Sequence, residues 1–248
     1  SFQLSQIFVF VSLLTAHLLS DFIFQQEKDV INKKKFKVFI KHILIVSFFS
    51  YLLLGIWDNF YVPMIILVGH AVIDLVKISI KKKSFKVYLL DQIAHILLIL
   101  IIYYIIRQPL SGSIIENYYL FNLFGIKILQ VYILVTAIIF TTKVSSIAIE
   151  FILLNSRTET DIVKRFGQDI LSRRIGNLER LFMLVTFLSG IPEAIGFLIT
   201  AKLILRYGEV KNEMDKKAVE FMLIGTLLSF TIGISIAFIS SKILIYLG

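Results

Sequence analysis

Long apolar runs broken by short basic loops set the pattern of this chain. The runs fall at about 4–24, 39–56, 62–79, 88–106, 126–153 and 218–246. As helices rising 1.5 Å per residue, they are long enough to cross a hydrocarbon core of about 30 Å. The expected fold class is all-α, a polytopic transmembrane helical bundle forming a single integral membrane domain over 1–248. The run from Ile7 has no basic region before it and no small-residue cleavage site after it, so it reads as a retained helix.

The basic residues orient these spans. Lys28, Lys33, Lys34, Lys35 and Lys37 lie between the first and second, and Lys81, Lys82, Lys83 and Lys86 between the third and fourth. Trp57-Asp58-Asn59-Phe60-Tyr61, between the second and third, has none. The positive-inside rule puts the N-terminus outside and both Lys-rich loops in the cytoplasm of a multi-pass cell-membrane protein. Arg157, Lys164, Arg165, Arg173 and Arg174, after the fifth span, agree with that orientation. Ile162, Val163, Phe166, Ile170 and Leu171 between them suit an interfacial amphipathic helix or a solvated connector.

The C-terminal membrane helices occupy 126–248, and two readings stand for the apolar region at 178–206. It is a re-entrant hairpin turning at Gly190-Ile191-Pro192, or one long kinked span.

Composition fits this picture. Apolar residues make up 57% of the chain and mean hydropathy is +0.85, above the range of soluble domains. The net charge of +9 resides largely in loops that set orientation, so nucleic acid is not an expected partner; membrane lipids are. There is no Cys, which leaves nitrogen and oxygen as the ligands for any metal.

The N-terminal half contains a repeated pattern. His17-Leu18-Leu19-Ser20-Asp21 returns as His70-Ala71-Val72-Ile73-Asp74, and a Lys-rich loop followed by His42 returns as a Lys-rich loop followed by His95. The same 53-residue offset separates His17 from His70 and His42 from His95. A tandem parallel repeat of two-helix units, 1–56 and 57–107, is expected, because an even number of spans restores the starting side.

Spacing then collects polar groups at one level. His17/Asp21, His70/Asp74 and Asp91/His95 each lie one helical turn apart on one face. Helix direction puts all four histidines in one layer of the inner half of the membrane, with Asp21, Asp74 and Asp91 about 6 Å nearer the cytoplasm. Position 38, the counterpart of Asp91, is Val38, so the cluster is expected to be asymmetric.

Ionisable groups at such depth must pair, line water or bind a cation. Imidazole and carboxylate together suit a divalent metal, zinc, manganese or iron, with His17, Asp21, His42, His70, Asp74, Asp91 and His95 as candidate ligands of one ion or two. A His–Asp network holding helices together and a proton or ion pathway are the alternatives. Asp21, Asp74 and Asp91 are also the candidate catalytic bases wherever they do not ligate.

A metal there points first to a hydrolase or transferase acting near the cytoplasmic leaflet on a phosphate-bearing lipid drawn by the lysines. A divalent-metal or ion-coupled transporter and a membrane scaffold are the other readings, so enzymatic activity stays open. In the C-terminal half, a Glu179–Arg180 or Glu193–Lys202 pair is expected to gate a cavity, while Lys202 and Arg206 anchor at an interface. Gly225, Ser229 and Gly233 form a small-residue stripe suited to close helix packing.

These motifs carry a resemblance. His17-Leu18-Leu19-Ser20-Asp21-Phe22, Gly69-His70-Ala71-Val72-Ile73-Asp74 and Asp91-Gln92-Ile93-Ala94-His95 resemble the uncharacterised prokaryotic membrane family named domain of unknown function 3307. So do Ile175-Gly176-Asn177-Leu178-Glu179-Arg180, the stretch from Ala201 to Glu209, and Gly225-Thr226-Leu227-Leu228-Ser229-Phe230. The resemblance extends over nearly the whole chain and implies membership, with no activity attached. The His-x-x-x-Asp pairs are also similar to those of membrane-bound metal-dependent hydrolases.

Overall fold

The computed structural model describes residues 2–80, 84–107, 118–155, 170–207 and 213–248. Lys81, Lys82, Lys83, Arg157, Ile162, Val163, Lys164, Arg165, Phe166 and Glu209, and the side chains of Ile170 and Arg206, lie outside this description. Every described element is helical, and the chain divides into two compact units, Ser1–Ile139 and Phe140–Gly248.

Among the described residues six helices are long and apolar enough to cross a membrane: Gln6–Phe24, Phe36–Leu54, Tyr61–Ser79, Phe85–Ile106, Ile126–Leu153 and Val219–Leu247. The protein is therefore a multi-pass membrane protein. Its faces are sorted for lipid. Met64, Val68, Val72 and Val76 are exposed on one side of the third span, whereas Ile66, His70 and Asp74 are buried on the other. In the fourth span Leu90, Leu97 and Ile101 face outward, while Asp91, His95 and Ile102 are buried. Such an arrangement fails in water and suits hydrocarbon, where polar groups must find partners inside the bundle.

The first unit contains α1 (Phe2–Leu18), which continues as a π-helical stretch (Leu19–Phe24), then α2 (Glu27–Ile31), α3 (Phe36–Leu54), α4 (Tyr61–Ser79), α5 (Phe85–Arg107), α6 (Tyr119–Phe124) and α7 (Ile126–Ile139). Helix α1 is the centre, packed against α3, α5 and α7. Phe8 is fully buried, with ring centroids 5.1 Å from Phe121 and 5.8 Å from both Tyr118 and Tyr132.

Polar side chains tie the helices without exposing a backbone group. Thr15 and Thr136 share a 2.9 Å hydrogen bond between α1 and α7, and the Tyr132 hydroxyl donates to the Leu53 carbonyl. Helix α3 stops at Gly55, whose φ of +67° favours glycine; a β-carbon there would also stand 3.3 Å from that of Leu120. Gly69 allows α5 its close approach to α4, since a β-carbon would meet a Leu98 methyl at 2.6 Å. Its neighbour His70 thereby reaches the histidine of the facing helix.

The second unit opens with a π-helical stretch (Phe140–Val144), followed by α8 (Ser145–Asn155), α9 (Ile170–Leu188), α10 (Ala194–Tyr207) and α11 (Glu213–Leu247). Helices α9 and α11 make its main packing surface, with Met183, Ile195 and Phe230 in the core. The helical path breaks between α9 and α10, where Gly190 takes a φ of +75°. The charge pairing there differs from expectation: Lys202 Nζ binds Glu179 Oε2 at 2.6 Å, and Glu193 is exposed. Adjacent residues on a helix point about 100° apart, so Glu179 and Arg180 face different partners.

Candidate metal centre

Helices α1, α3, α4 and α5 each contribute one histidine to a single cluster. His17 stacks on His95 with centroids 4.7 Å apart; His70 lies 4.3 Å from His95, 5.1 Å from His42 and 6.0 Å from His17. All four are at most 4% exposed. Asp74 is fully buried and Asp91 is buried. All seven residues singled out from sequence thus come together.

The carboxylates do not form a separate layer about 6 Å below the histidines. Asp21 Oδ1 lies 3.5 Å from His42 Nε2 and 3.5 Å from His70 Nε2, and Asp74 Oδ2 lies 3.4 Å and 3.5 Å from the same two nitrogens. Two features account for the difference. Helical side chains lean toward the helix N-terminus, so Asp21 and Asp74 lean one way along α1 and α4 while His42, on the oppositely directed α3, leans to meet them. In addition, Asp21 belongs to the π-helical stretch, whose wider turn changes the angle at which it leaves the helix.

The geometry fits a cation. Asp21 Oδ1, His42 Nε2 and His70 Nε2 are separated by 3.5, 3.5 and 3.1 Å. Ligands at about 2.0–2.2 Å from one zinc-sized ion in tetrahedral geometry stand roughly 3.3–3.6 Å apart. Two further triads, His17/His70/His95 and Asp74/Asp91/His95, each offer ligand atoms that lie within 4.8 Å of one another. A void of about 20 Å³ adjoins His17, His70 and His95, above the roughly 10–15 Å³ that one water requires.

Tautomer and satisfaction point the same way. His95 Nδ1 lies 2.8 Å from the Asp91 carbonyl, which can only accept, so Nδ1 carries the proton and Nε2 presents its lone pair to the cluster. His95 Nε2, both nitrogens of His17, Asp21 Oδ1, Asp74 Oδ2 and Asp91 Oδ1 are buried without a hydrogen-bond partner among the described residues. Buried polar atoms are ordinarily satisfied, and six exceptions in one place fit an ion or water bridging them.

Two lysines complete the electrostatics, and sequence reasoning missed both. Lys33, in the turn between α2 and α3, is 6% exposed and places Nζ 2.8 Å from Asp74 Oδ1. Lys77 pairs with Asp91, whose Oδ2 also accepts from Gln92. Nothing separates Lys33 from Lys34 and Lys35 in the sequence, whereas Lys77 carries a signal, since it lies one turn beyond Asp74 inside an apolar span. Among the described residues, with neutral imidazoles, three carboxylates and two ammonium groups leave one negative charge, and no described lysine pairs with Asp21.

Replacing Lys33 by Met is expected to destabilise the detergent-purified protein by about 3–5 kcal/mol, because Asp74 would remain buried without its counter-charge. Adding Asp74→Asn should recover most of that loss in thermal unfolding, and the half-exposed Lys77 should give a smaller effect when replaced. An unchanged unfolding profile for Lys33→Met would contradict the pairing.

No curated protein and no solved structure matches this chain. The C-terminal motifs read as part of the family resemblance lie beyond the segment that matches a family. Residues 9–124, which carry the four histidines, the three carboxylates and both lysines of the cluster, match the family described as protein of unknown function (DUF3307).

Proposed function

We propose that the N-terminal unit is a divalent-metal centre serving hydrolysis or group transfer on a phosphate-bearing lipid at the cytoplasmic leaflet. The observation that carries this reading is the set of six unsatisfied ligand atoms around three overlapping triads. A divalent cation held there would supply Lewis-acid activation of a water. His42 and His70, with Asp21, are the residues spaced to hold it; His95, oriented by the Asp91 carbonyl, and His17 are further donors. Asp74 and Asp91, steadied by Lys33 and Lys77, are the candidate proton acceptors. The same ammonium groups are the cations that a phosphate group would meet on exchanging places with a carboxylate.

A second reading is passage of a divalent metal or other ion through the same residues; a continuous polar path to both sides would favour it, whereas the enclosure of the histidines favours a resident metal. In both readings the N-terminus is outside, the Lys-rich loops are cytoplasmic, and the 53-residue offset reflects paired two-helix repeats. The segment 178–206 belongs to this proposal as a re-entrant hairpin, supported by the break at Gly190 and by α9 and α10 falling outside the six long apolar helices.

Elemental analysis of detergent-purified protein after repletion with zinc, manganese and iron tests the metal reading. Wild type should retain stoichiometric metal through gel filtration, and the His70→Ala/His95→Ala double variant at least about tenfold less. Absence of retained metal in wild type would remove the resident centre, and metal flux into proteoliposomes by the same sample would support passage. The orientation has its own check: a cysteine replacing Asn59 should react with an impermeant thiol reagent on intact cells, and one replacing Asn32 only after permeabilisation. The reverse pattern would invert the topology.

A further inference from the structure

The second unit contains a buried cation with no counter-ion among the described residues. Arg180 on α9 is 2% exposed, and no carboxylate among the described residues forms an ion pair with it. Its guanidinium instead donates to neutral acceptors: Nε to the Thr141 carbonyl, Nη1 to Ser229 Oγ at 2.6 Å, and Nη2 to Ser146 Oγ and Asn177 Oδ1, both at 2.7 Å. These bonds fix the plane of the guanidinium and leave its charge without a carboxylate among the described residues. Hydrogen bonds to neutral oxygens offset part of the cost of burying this charge, and an opposite charge nearby would offset the rest.

Glycines make the cradle. A β-carbon at Gly176 would stand 3.2 Å from Arg180 Nη1, and one at Gly233 would stand 3.0 Å from Arg180 Cγ and 2.8 Å from Met183 Sδ. The stripe of Gly225, Ser229 and Gly233 on α11 is therefore more than a packing surface. Gly233 seats the stem of Arg180, Ser229 accepts from its head, and Gly225 leaves open the cavity beside it.

That cavity has a volume of about 160 Å³, over ten times the roughly 10–15 Å³ that one water requires. Arg180, Lys202, Thr226, Ser146 and Ser229 contribute to its wall. The other charges around it cancel: Lys202 pairs with Glu179, and Arg173, at the open side with its side chain 39% exposed, lies 3.7 Å from Glu150. Among the described residues one positive charge is left over, on Arg180, whose guanidinium is fixed by four hydrogen bonds.

We propose that the cavity between α8, α9 and α11 is an oxyanion site, with Arg180 as the counter-charge and hydroxyl groups as further donors, and that its ligand is a phosphate group. Guanidinium suits this role because its charge is permanent, and of its five N–H groups the four bonds to Thr141, Ser229, Ser146 and Asn177 leave one, on Nη1, for the ligand. The ligand is either the headgroup of an anionic phospholipid or free phosphate. This site is independent of the metal centre, and neither depends on the other.

The test uses the full chain in two forms. In detergent, inorganic phosphate is titrated by calorimetry; after purification from nanodiscs containing phosphatidylglycerol and phosphatidylcholine, retained lipid is read by native mass spectrometry. Wild type should bind one phosphate group, as the free ion or as phosphatidylglycerol. Arg180→Gln should weaken binding by at least about tenfold. Thr226→Leu, which fills the cavity and leaves the four hydrogen bonds of Arg180 intact, should do the same in a protein that folds. Retained phosphatidylglycerol with no response to phosphate identifies the lipid headgroup, and the converse identifies the free ion. If wild type binds neither, or if folded Thr226→Leu binds as wild type does, the proposal fails.

Discussion

A charge moved from water into hydrocarbon costs several kcal/mol unless another charge, a set of hydrogen bonds or an ion meets it, and the first unit is arranged around that constraint. Three carboxylates lie inside the bundle. Two are met by lysines, Asp74 by Lys33 and Asp91 by Lys77, each with its ammonium brought in from one end of a span. Among the described residues the third, Asp21, is met only by imidazoles. Four histidines with lone pairs or protons to place, and one carboxylate without an ammonium partner among the described residues, make a region that favours a cation. The close approach of α4 and α5 at Gly69 and the π-helical stretch after α1 both serve to bring those side chains together.

Much of this was legible in the sequence because lipid imposes simple rules. A span needs a long apolar run, and the six helices follow the runs to within about three residues at each end. His and Asp at spacing four within apolar runs could only face inward, and the seven side chains meet. Their vertical order was not legible. Counting axial rise treats a residue as a point on its helix axis, whereas the reactive atoms of histidine and aspartate stand away from it and meet between helices, and no residue preference marked the π-helical geometry. Lys33 was hidden in a run of three lysines, since which member turns inward is decided by the turn after α2.

The second unit shows the same constraint with the opposite sign. Arg180 was legible as a charged residue near an apolar segment, and pairing with the adjacent glutamate was the simple expectation. Helix geometry forbids that contact, so Glu179 joins Lys202 and Arg180 turns to neutral oxygens. Gly176, four residues before it, and Gly233 on α11 were the available signals, because an arginine stem inside a helix pair needs missing side chains opposite it. A stripe of small residues on a membrane helix thus admits two uses, helix-to-helix packing and room for a buried cation. Only the structure distinguishes them.

X-ray absorption at the zinc edge, on protein loaded with one equivalent of zinc, tests the central claim most directly, because it reports the ligands themselves. The arrangement of Asp21, His42 and His70 predicts a sphere of nitrogen and oxygen at about 2.0–2.1 Å. At least two imidazoles should appear in its outer-shell scattering, and His70→Ala should remove that imidazole signature. A sphere of water oxygens alone, or an imidazole signature unchanged in His70→Ala, would contradict a metal held by the buried histidines and leave them as a hydrogen-bonded network between helices.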